Sequence, residues 1–164
     1  MTDDFTHTTE EGEVQMVDIG AKPDTARRAV AQGDIVLTEE TIAKIQADSV
    51  EKGDVLATAR IGVIQAVKHT WEAIPLCHQI PITNIDVDHI IDADRVQLTV
   101  TVETRGKTGC EMEALHGVTT GLNVIWDMVK AIEKTPDGAY PTTRIENVHV
   151  VTKQKRDIPT ESNP

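Results

Sequence analysis

The sequence of 164 residues has few aromatic side chains, few cysteines and no long apolar run. Phe, Trp and Tyr together make up only 2% of it, so Val, Ile, Leu and Ala must form the hydrophobic core. Two cysteines, Cys77 and Cys110, are too few for a disulfide framework and lack zinc-finger spacing, which fits a reducing compartment. No signal peptide is recognisable, and no apolar run approaches the roughly 18 residues of a membrane-spanning helix. We therefore expect a cytoplasmic protein that does not enter a membrane.

Positive charge is also scarce, since 16 Lys and Arg residues stand against 27 Asp and Glu residues and the formal net charge is −11. No basic stripe is present to neutralise phosphates, which argues against general binding of nucleic acids or anionic membranes. Five acids and no base fall in residues 1–13. One hypothesis is a halophilic-like acidic surface, because at about 1 M salt the Debye length falls to about 3 Å and like charges no longer repel strongly.

The length favours a single domain, and the pattern of the chain predicts where it lies. Residues 1–13 are expected to be a disordered acidic tail, residues 14–155 the domain, and residues 156–164 a flexible C-terminal tail.

Seven elements are predicted within that domain. Residues 96–103 alternate strictly between apolar and polar side chains and pair with 82–87 as an antiparallel hairpin. An apolar helix over 55–69, after a short one beginning at Thr38, should be buried, and a long helix should run over about 111–134. Strands at 25–36 and around 145–150 complete a split βαβ order. The predicted fold is therefore α+β: a ferredoxin-like antiparallel sheet with two long helices packed on it.

Two loops carry reactive or basic side chains. Cys77 and His78 lie side by side in a loop between two prolines, where a functional site is possible. The alternative is that they are structural: a buried thiol beside a histidine whose hydrogen bonds are satisfied within the fold. Neighbours on an extended chain point apart, so these two do not form a catalytic dyad with each other. Lys52 and Lys107 each precede a predicted helix N-terminus, where free amide groups favour an anion; the alternative is a solvated lysine at a turn.

The long helix carries acids at both ends. Acidic residues such as Glu111 and Glu113 are common in the first turn of a helix, where they need no functional role. Asp127 and Lys130, three residues apart, are explained equally well as a surface ion pair. Glu113 and Asp127 are 14 residues apart, nearly on one stripe but roughly 21 Å apart along the axis. Small residues between them, including Gly117 and Gly121, would let another helix approach closely. We therefore hypothesise that a partner helix brings Glu113 of one chain near Asp127 of another, in a site shared between subunits.

A metal site is not predicted. The acids between Asp86 and Asp94 lack the glycine and distal glutamate of a calcium-binding loop and are expected to form a solvated hairpin turn. No set of His, Cys and carboxylate side chains has the spacing of a zinc site.

Six segments, in order, resemble the cyclic pyranopterin monophosphate synthase family of molybdenum cofactor biosynthesis. The similarity extends over about residues 14–152, and six motifs at compatible spacing are far more specific than any one of them. The segments are 16–19 (MVDI), 52–61 (KGDVLATARI), 74–78 (IPLCH), 107–109 (KTG), 111–115 (EMEAL) and 126–131 (WDMVKA).

The resemblance implies a ferredoxin-like subunit assembled as dimers into a homohexamer, with sites at subunit interfaces and no cofactor. It implies a lyase that converts a cyclic dihydro-GTP derivative, supplied by an upstream GTP-cyclising radical enzyme, to cyclic pyranopterin monophosphate with release of pyrophosphate. By resemblance the catalytic residues fall on Asp127, Lys52, Lys130 and His78. Those that bind the substrate fall on Leu76, Cys77, His78, Met112, Glu113, Glu111 and Arg27.

These residue types suit the implied reaction, because rearranging a purine-derived ring needs several proton transfers and a triphosphate needs cations. Either Lys52 or Lys130 would serve as a base if burial or a nearby cation lowered its pKa, and which one does so stays open. The chain departs from the family pattern at Gln79, Gly62 and His116 and in the segment 152–156 (TKQKR), which replaces a glycine-rich stretch.

Two other functions compete with this interpretation. The first is a non-catalytic oligomer that binds pterins or nucleotides, against which the retention of Asp127 with two lysines argues. The second is a metal-dependent cyclohydrolase acting on a nucleotide ring, which loss of activity on chelation would favour.

Overall fold

A computed structural model describes residues 12–158 of the chain. These residues form two long helices, two short helices and four strands. In chain order the elements are β1 (Thr25–Val36), α1 (Glu39–Gln46), α2 (Val55–Lys68), α3 (Thr70–Ala73), β2 (Ile82–Ile91), β3 (Arg95–Gly106), α4 (Glu111–Glu133) and β4 (Arg144–Asp157).

The four strands form one open antiparallel sheet in the order β2-β3-β1-β4. The crossover from β1 through α2 to β2 straddles β3, and the crossover from β3 through α4 to β4 straddles β1. Both helical crossovers place their helix on the same face of the sheet, because that face bears the buried apolar side chains. This arrangement confirms the predicted ferredoxin-like α+β fold, including the 82–87 and 96–103 hairpin.

The core lies between that face and the helices. Val96, Leu98, Val100 and Val102 of β3 are all at most 2% exposed, as their strict alternation with polar residues predicts. The register pairs Val100 with Ala31 and Val102 with Ala29, so the apolar positions of neighbouring strands share one face. Among residues 12–158 no aromatic side chain is fully buried, and aliphatic packing holds the sheet to the helices.

The small residues of α4 receive α2 of the same chain, which corrects part of the sequence interpretation. A Cβ atom added at Gly121 would lie 2.5 Å from Leu98 Cδ2 and 2.6 Å from Val63 Cγ2. At Gly117 an added Cβ would lie 2.8 Å from Val67 Cγ2. The glycines thus allow α2 to approach α4 closely within one subunit. They give no surface for a helix of another chain, so the predicted contact along this stripe is wrong.

A buried carboxylate ties the end of α4 to the start of α1. Glu133 is 6% exposed, and its Oε1 accepts hydrogen bonds from Thr38 N at 3.0 Å and Thr38 Oγ1 at 2.8 Å. Its Oε2 accepts from Thr143 Oγ1 just before β4. Thr38 is also the N-cap of α1 and accepts from the backbone N–H of Thr41. One side chain therefore joins the end of α4 to the start of α1, 95 residues away in sequence, and to the residue before β4, 10 residues away.

The element boundaries differ from the predicted ones in two places. A separate four-residue helix, α3, follows α2, because His69 between them has non-helical backbone angles, with φ −116° and ψ 19°. Strand β4 continues to Asp157 and so includes two residues that the sequence assigned to the C-terminal tail. The rest of that tail from residue 159, and residues 1–11 of the N-terminal tail, lie outside the described residues. Within residues 12–158, no helix is both long and apolar enough to cross a membrane.

Candidate functional site

Three of the four predicted catalytic residues meet at one end of the two long helices. Lys52 Nζ donates to Asp127 Oδ2 at 2.9 Å and also to the Asp127 carbonyl oxygen, although 75 residues separate the two. Lys130 Nζ donates to Asp127 Oδ1 at 2.7 Å from one turn further along α4. We call these three residues the lysine–aspartate cluster.

Local sequence explains how Lys52 reaches this position. Gly53 has a φ of +104°, a conformation that suits glycine, and its N–H bonds to the carbonyl of Val50 in a tight turn. Asp54 then caps α2 by accepting from Ala57 N at 2.9 Å. The turn and the cap together fix Lys52 at the start of α2, opposite the far end of α4.

The charges of the cluster reinforce one another. Hydrogen bonds from Lys130 and then from Lys52 lower the pKa of Asp127, so it stays ionised. The same hydrogen bond raises the pKa of Lys130. That direction is opposite to the one that a lysine base requires in this conformation of the chain. Two ammonium groups around one carboxylate leave a net positive charge at a partly exposed surface, which suits an anionic group of a ligand.

The other predicted site residues surround a separate cavity at the N-terminal end of α4, of about 490 Å³. We call it the α4 N-terminal cavity. All six predicted substrate-contacting positions around the IPLCH and EMEAL motifs line it, including His78, which lies apart from the lysine–aspartate cluster. The lining residues are Val17, Ile19, Lys22, Ile74, Leu76, Cys77, His78, Thr108, Gly109, Glu111, Met112 and Glu113.

Two glutamates set the electrostatics of this cavity. Glu113 is only 4% exposed, and burial, helped by the charge of Glu111, raises its pKa to about 7. Burial and then these two carboxylates also raise the pKa of the Cys77 thiol, so Cys77 is not poised as a thiolate nucleophile. Burial would raise the pKa of Glu111 too, but the hydrogen bond and the charge of Lys153 bring it below its ordinary value.

Glu111, which lines the cavity, has one carboxylate oxygen without a hydrogen-bond partner among the described residues. Its Oε1 accepts from Lys153 Nζ of β4, whereas its Oε2 is buried without a hydrogen-bond partner among the described residues. A buried carboxylate oxygen that accepts no hydrogen bond from the protein suits a hydrogen-bond donor of a ligand. Burial and charge therefore leave Glu113 able to hold a proton and Glu111 able to accept a hydrogen bond.

Arg27 is held at the edge of this region by neighbouring backbone and side-chain groups. Its Nε donates to Thr25 Oγ1 at 2.9 Å and its guanidinium to the carbonyl of Lys107 at 3.3 Å. Lys107 itself donates to the carbonyl of Gly20, which fastens the segment before β1 beside the cavity. Arg27 is not among the residues lining the α4 N-terminal cavity and belongs to a larger one, of about 800 Å³, at the end of the sheet. That larger cavity contains no other predicted site residue.

Two basic residues near the cavity were missed by the sequence interpretation. Lys22 lines the cavity, and Lys153 pairs with Glu111. The TKQKR segment was interpreted only as the loss of a glycine-rich stretch, yet it delivers a cation to the site region. Its run of bases next to an apolar strand was the available signal.

The two groups of residues lie at opposite ends of α4 and do not form one site within a chain. Glu113 and Asp127 are separated by roughly 21 Å of helix, since each residue adds about 1.5 Å. Among residues 12–158, no group of three or more His, Cys, Asp or Glu side chains is placed to hold a metal ion.

Comparison with known proteins gives a consistent result. The profile of the MoaC family matches residues 16–156. The chain is 65% identical over 160 residues, 96% of this chain and 100% of the relative, to a probable cyclic pyranopterin monophosphate synthase of Natronomonas pharaonis. It is 68% identical to one of Halobacterium salinarum over 93% of this chain and 94% of the relative. A protein of Methanothermobacter thermautotrophicus named a probable cyclic pyranopterin monophosphate synthase accessory protein is 54% identical over 94% and 97%, respectively. The chain belongs to the MoaC family.

Proposed function

We propose that this protein is a cyclic pyranopterin monophosphate synthase, a lyase of molybdenum cofactor biosynthesis. Its substrate would be 3',8-cyclo-7,8-dihydroguanosine triphosphate, and its products cyclic pyranopterin monophosphate and pyrophosphate. The observation that carries the proposal is the convergence of Lys52 and Lys130 on Asp127, because Lys52 of the KGD motif and Asp127 of the WDMVK motif are 75 residues apart in sequence and still meet. An incidental surface pair would not unite two separate family motifs.

The charges support a division of labour between the two groups. The net positive lysine–aspartate cluster suits the phosphate groups and the pyrophosphate that leaves when the cyclic phosphate closes. Glu113, with its raised pKa, and His78 suit proton transfer to and from the ring in the cavity. Arg27 and Lys130 would neutralise phosphate, since the pKa of Lys130 rises rather than falls. Which of the two lysines serves as a base stays open, because both donate to the Asp127 carboxylate.

The separation of the groups supports an assembly in which one subunit completes the site of another. We therefore retain the hypotheses of a composite site and a homohexamer built from dimers, although the contact surface differs from the stripe on α4. A cytoplasmic setting and an acidic surface adapted to salt belong to the same proposal, as does functional coupling to an upstream GTP-cyclising radical enzyme.

A coupled assay tests the activity. An upstream GTP-cyclising enzyme would generate the substrate in place, and both the pterin product and pyrophosphate would be followed in low and high salt. We expect product from the intact chain and none above background from Asp127→Ala or Lys52→Ala. A folded oligomer that gives no product at any salt concentration would contradict the proposal.

A second candidate function is binding of a pterin or nucleotide without turnover, since one relative is named an accessory protein. It predicts that Asp127→Ala retains ligand affinity and that neither chain forms product. Turnover by the intact chain would eliminate it.

A further inference from the structure

Positive charge is concentrated in a cavity that lies apart from the lysine–aspartate cluster and the α4 N-terminal cavity. This is the cavity of about 800 Å³ at the end of the sheet, and its volume is in the usual range of ligand pockets. It is lined by four of the seven arginines of the sequence, Arg27, Arg28, Arg105 and Arg156, together with a single acid, Glu103. Such a grouping does not follow from a composition with a net charge of −11. We call this cavity the arginine recess.

The strand register explains why three of these arginines lie together. Ala29 of β1 faces the helices and is part of the core, so Ala26 and Arg28 face the opposite, outer side of the sheet. Ala26 is paired with Arg105 on β3 and with Arg156 on β4. These two arginines therefore flank the small Ala26 side chain, with their Cα atoms about 10 Å apart across two strand spacings. The methyl group of Ala26 leaves the space between the two long side chains open.

The arginines of the outer face are weakly engaged or have no partner. Arg28 Nε is 3.5 Å from Glu103 Oε1, and Arg28 Nη2 donates to Thr101 Oγ1 at 3.4 Å, both at the long end of their range. Within residues 12–158, no ion pair or side-chain hydrogen bond engages Arg105 or Arg156, and both are exposed. Three arginines against one glutamate leave a surplus of two positive charges, so the recess favours an anion.

Arg27 separates the arginine recess from the proposed synthase site. Because it alternates with Ala26 and Arg28 along β1, its side chain leaves the sheet on the helical side. There its guanidinium donates to the carbonyl of Lys107 at 3.3 Å and its Nε to Thr25 Oγ1 at 2.9 Å. Both groups of predicted site residues also lie on the helical side. We therefore leave Arg27 out of the recess and assign only the three outer arginines to it.

We infer that the arginine recess, formed by Arg28, Arg105 and Arg156 on the outer face of the sheet, binds a linear chain of phosphate groups, either free or as the tail of a nucleotide. A planar guanidinium binds a phosphate group through two parallel hydrogen bonds. Three guanidinium groups spread over about 10 Å thus suit a chain of phosphates better than a single one. Gln154 and Thr83 in the lining offer further polar side chains. The inference does not depend on the synthase activity.

Chemical modification of arginine tests the recess residue by residue. The parent chain is treated with phenylglyoxal, with and without saturating inorganic tripolyphosphate at constant ionic strength, and modified peptides are quantified by mass spectrometry. Modification of Arg105 and Arg156 should slow about fivefold or more, because a guanidinium bound to phosphate cannot react. Arg144, an exposed arginine at the opposite end of β4, is the control and should react at the same rate in both samples. Equal rates with and without tripolyphosphate at Arg105 and Arg156, or equal slowing at Arg144, overturn the inference.

Two matched substitutions test whether the arginines act on one ligand. Arg156→Gln should remove most of the protection of Arg105, because both are expected to hold the same anion. Arg144→Gln removes the same charge from the other end of the strand and should leave that protection intact. Both positions are exposed, so the circular dichroism spectrum should not change. Undiminished protection of Arg105 in Arg156→Gln would overturn the shared site.

Other anions define the class of ligand. Orthophosphate at the same concentration should protect much less, and protection equal to that by tripolyphosphate would contradict a site for a phosphate chain. ATP carries the same chain on a nucleoside. Protection by ATP supports the tail of a nucleotide as the ligand, and protection by tripolyphosphate alone supports the free anion.

A variant of the lysine–aspartate cluster separates this inference from the proposed function. Lys52→Ala should leave the protection of Arg105 and Arg156 unchanged, because Lys52 does not line the recess. Loss of protection in this variant would place the bound phosphate at the cluster and overturn the recess as a site. A parent chain that forms no pterin product would contradict the proposed function and leave the protection result standing.

Discussion

Asp127 is the residue on which the ionic contacts of the lysine–aspartate cluster converge. It is exposed on its own helix, yet each of its carboxylate oxygens accepts from a different lysine. Exposed ion pairs contribute little to stability, usually less than about 1 kcal/mol. A three-membered arrangement that stabilises the fold so weakly is better explained by what it does to a ligand.

Replacing Asp127 by Asn should therefore separate function from folding. We expect the kcat for pterin formation to fall by about 10²- to 10⁴-fold, the usual range for loss of a positioned acid or base. The midpoint of urea unfolding should be nearly unchanged, because the side chain is 58% exposed. Asp86→Asn, an exposed acid on β2, is the control and should keep full activity. Activity in Asp127→Asn equal to that of the control would exclude a chemical role.

Glu113 should make the stability of the single chain depend on pH. Burial raises its pKa from an ordinary 4.5 to about 7, so between these values the folded chain holds a proton that the unfolded chain releases. Stability must then fall as the pH rises from about 4.5 to 7, by on the order of 2–3 kcal/mol. Glu113→Gln should remove this loss. Urea unfolding of the parent chain and of Glu113→Gln at pH 5 and pH 8 would measure it, and parallel pH profiles would contradict it.

At the scale of elements, α4 connects both groups of site residues, and Glu133 fixes its end. The carboxylate joins α4 to the cap of α1 and to the start of β4 through Thr38 and Thr143. The chain leaving α1 then leads to Lys52. The bonds around Glu133 thus contribute to holding the two sides of the lysine–aspartate cluster together.

Glu133→Ala should destabilise the protein by about 3 kcal/mol, because it leaves the half-buried N–H of Thr38 and the buried hydroxyl of Thr143 without their acceptor. Glu133→Gln retains an acceptor oxygen and should be intermediate. Glu40→Ala, at an exposed position of α1 that forms only an ion pair with Lys44, should change the free energy of unfolding by less than about 0.5 kcal/mol. Urea unfolding in high salt would give the three values. An equal effect of the Glu133 and Glu40 changes would show that the buried bonds contribute nothing.

The elements that could be predicted are those whose sequence pattern is compatible with only one structure. The alternation over 96–103 fits only a half-buried strand, and the turn residues around it fix the hairpin. The glycines at 117 and 121 are different, because they indicate only that something approaches closely. A helix of the same chain and a helix of another chain would leave the same pattern, and the same-chain helix α2 proved to be the partner.

The site was predicted residue by residue through family motifs, while its division into two groups depended on tertiary structure. The convergence of Lys52 on Asp127 requires α2 and α4 to lie antiparallel, which the sequence alone does not specify. The approach of Lys153 to Glu111 depends on the register of β4 against β1, which shifts at two irregularities. Charged positions on an outer strand otherwise look like ordinary solvent-facing residues.

At the scale of the whole molecule, a net charge of −11 should make stability depend on salt. Repulsion among the acids is screened as the Debye length falls from about 10 Å at 0.1 M to about 3 Å at 1 M. We expect Tm to rise steeply between these KCl concentrations. Asp86→Asn, Asp88→Asn and Asp92→Asn together reduce the net charge to −8 (−11 + 3) and should flatten the rise. An unchanged slope in the triple variant would trace the salt effect to burial of apolar surface instead.

The open sheet has two exposed edges at which other protein molecules could add a strand. Its two outer strands, β2 and β4, present unpaired backbone groups that invite the addition of a foreign strand and, at high concentration, aggregation. Strand β2 bears Asp86 and Asp88, and the C-terminal end of β4 bears Lys153, Lys155 and Arg156. When like edges meet, like charges oppose each other, and the irregular register of β4 bends that edge away from a flat template. The charges and the irregular register therefore protect the edges of the sheet against uncontrolled strand addition.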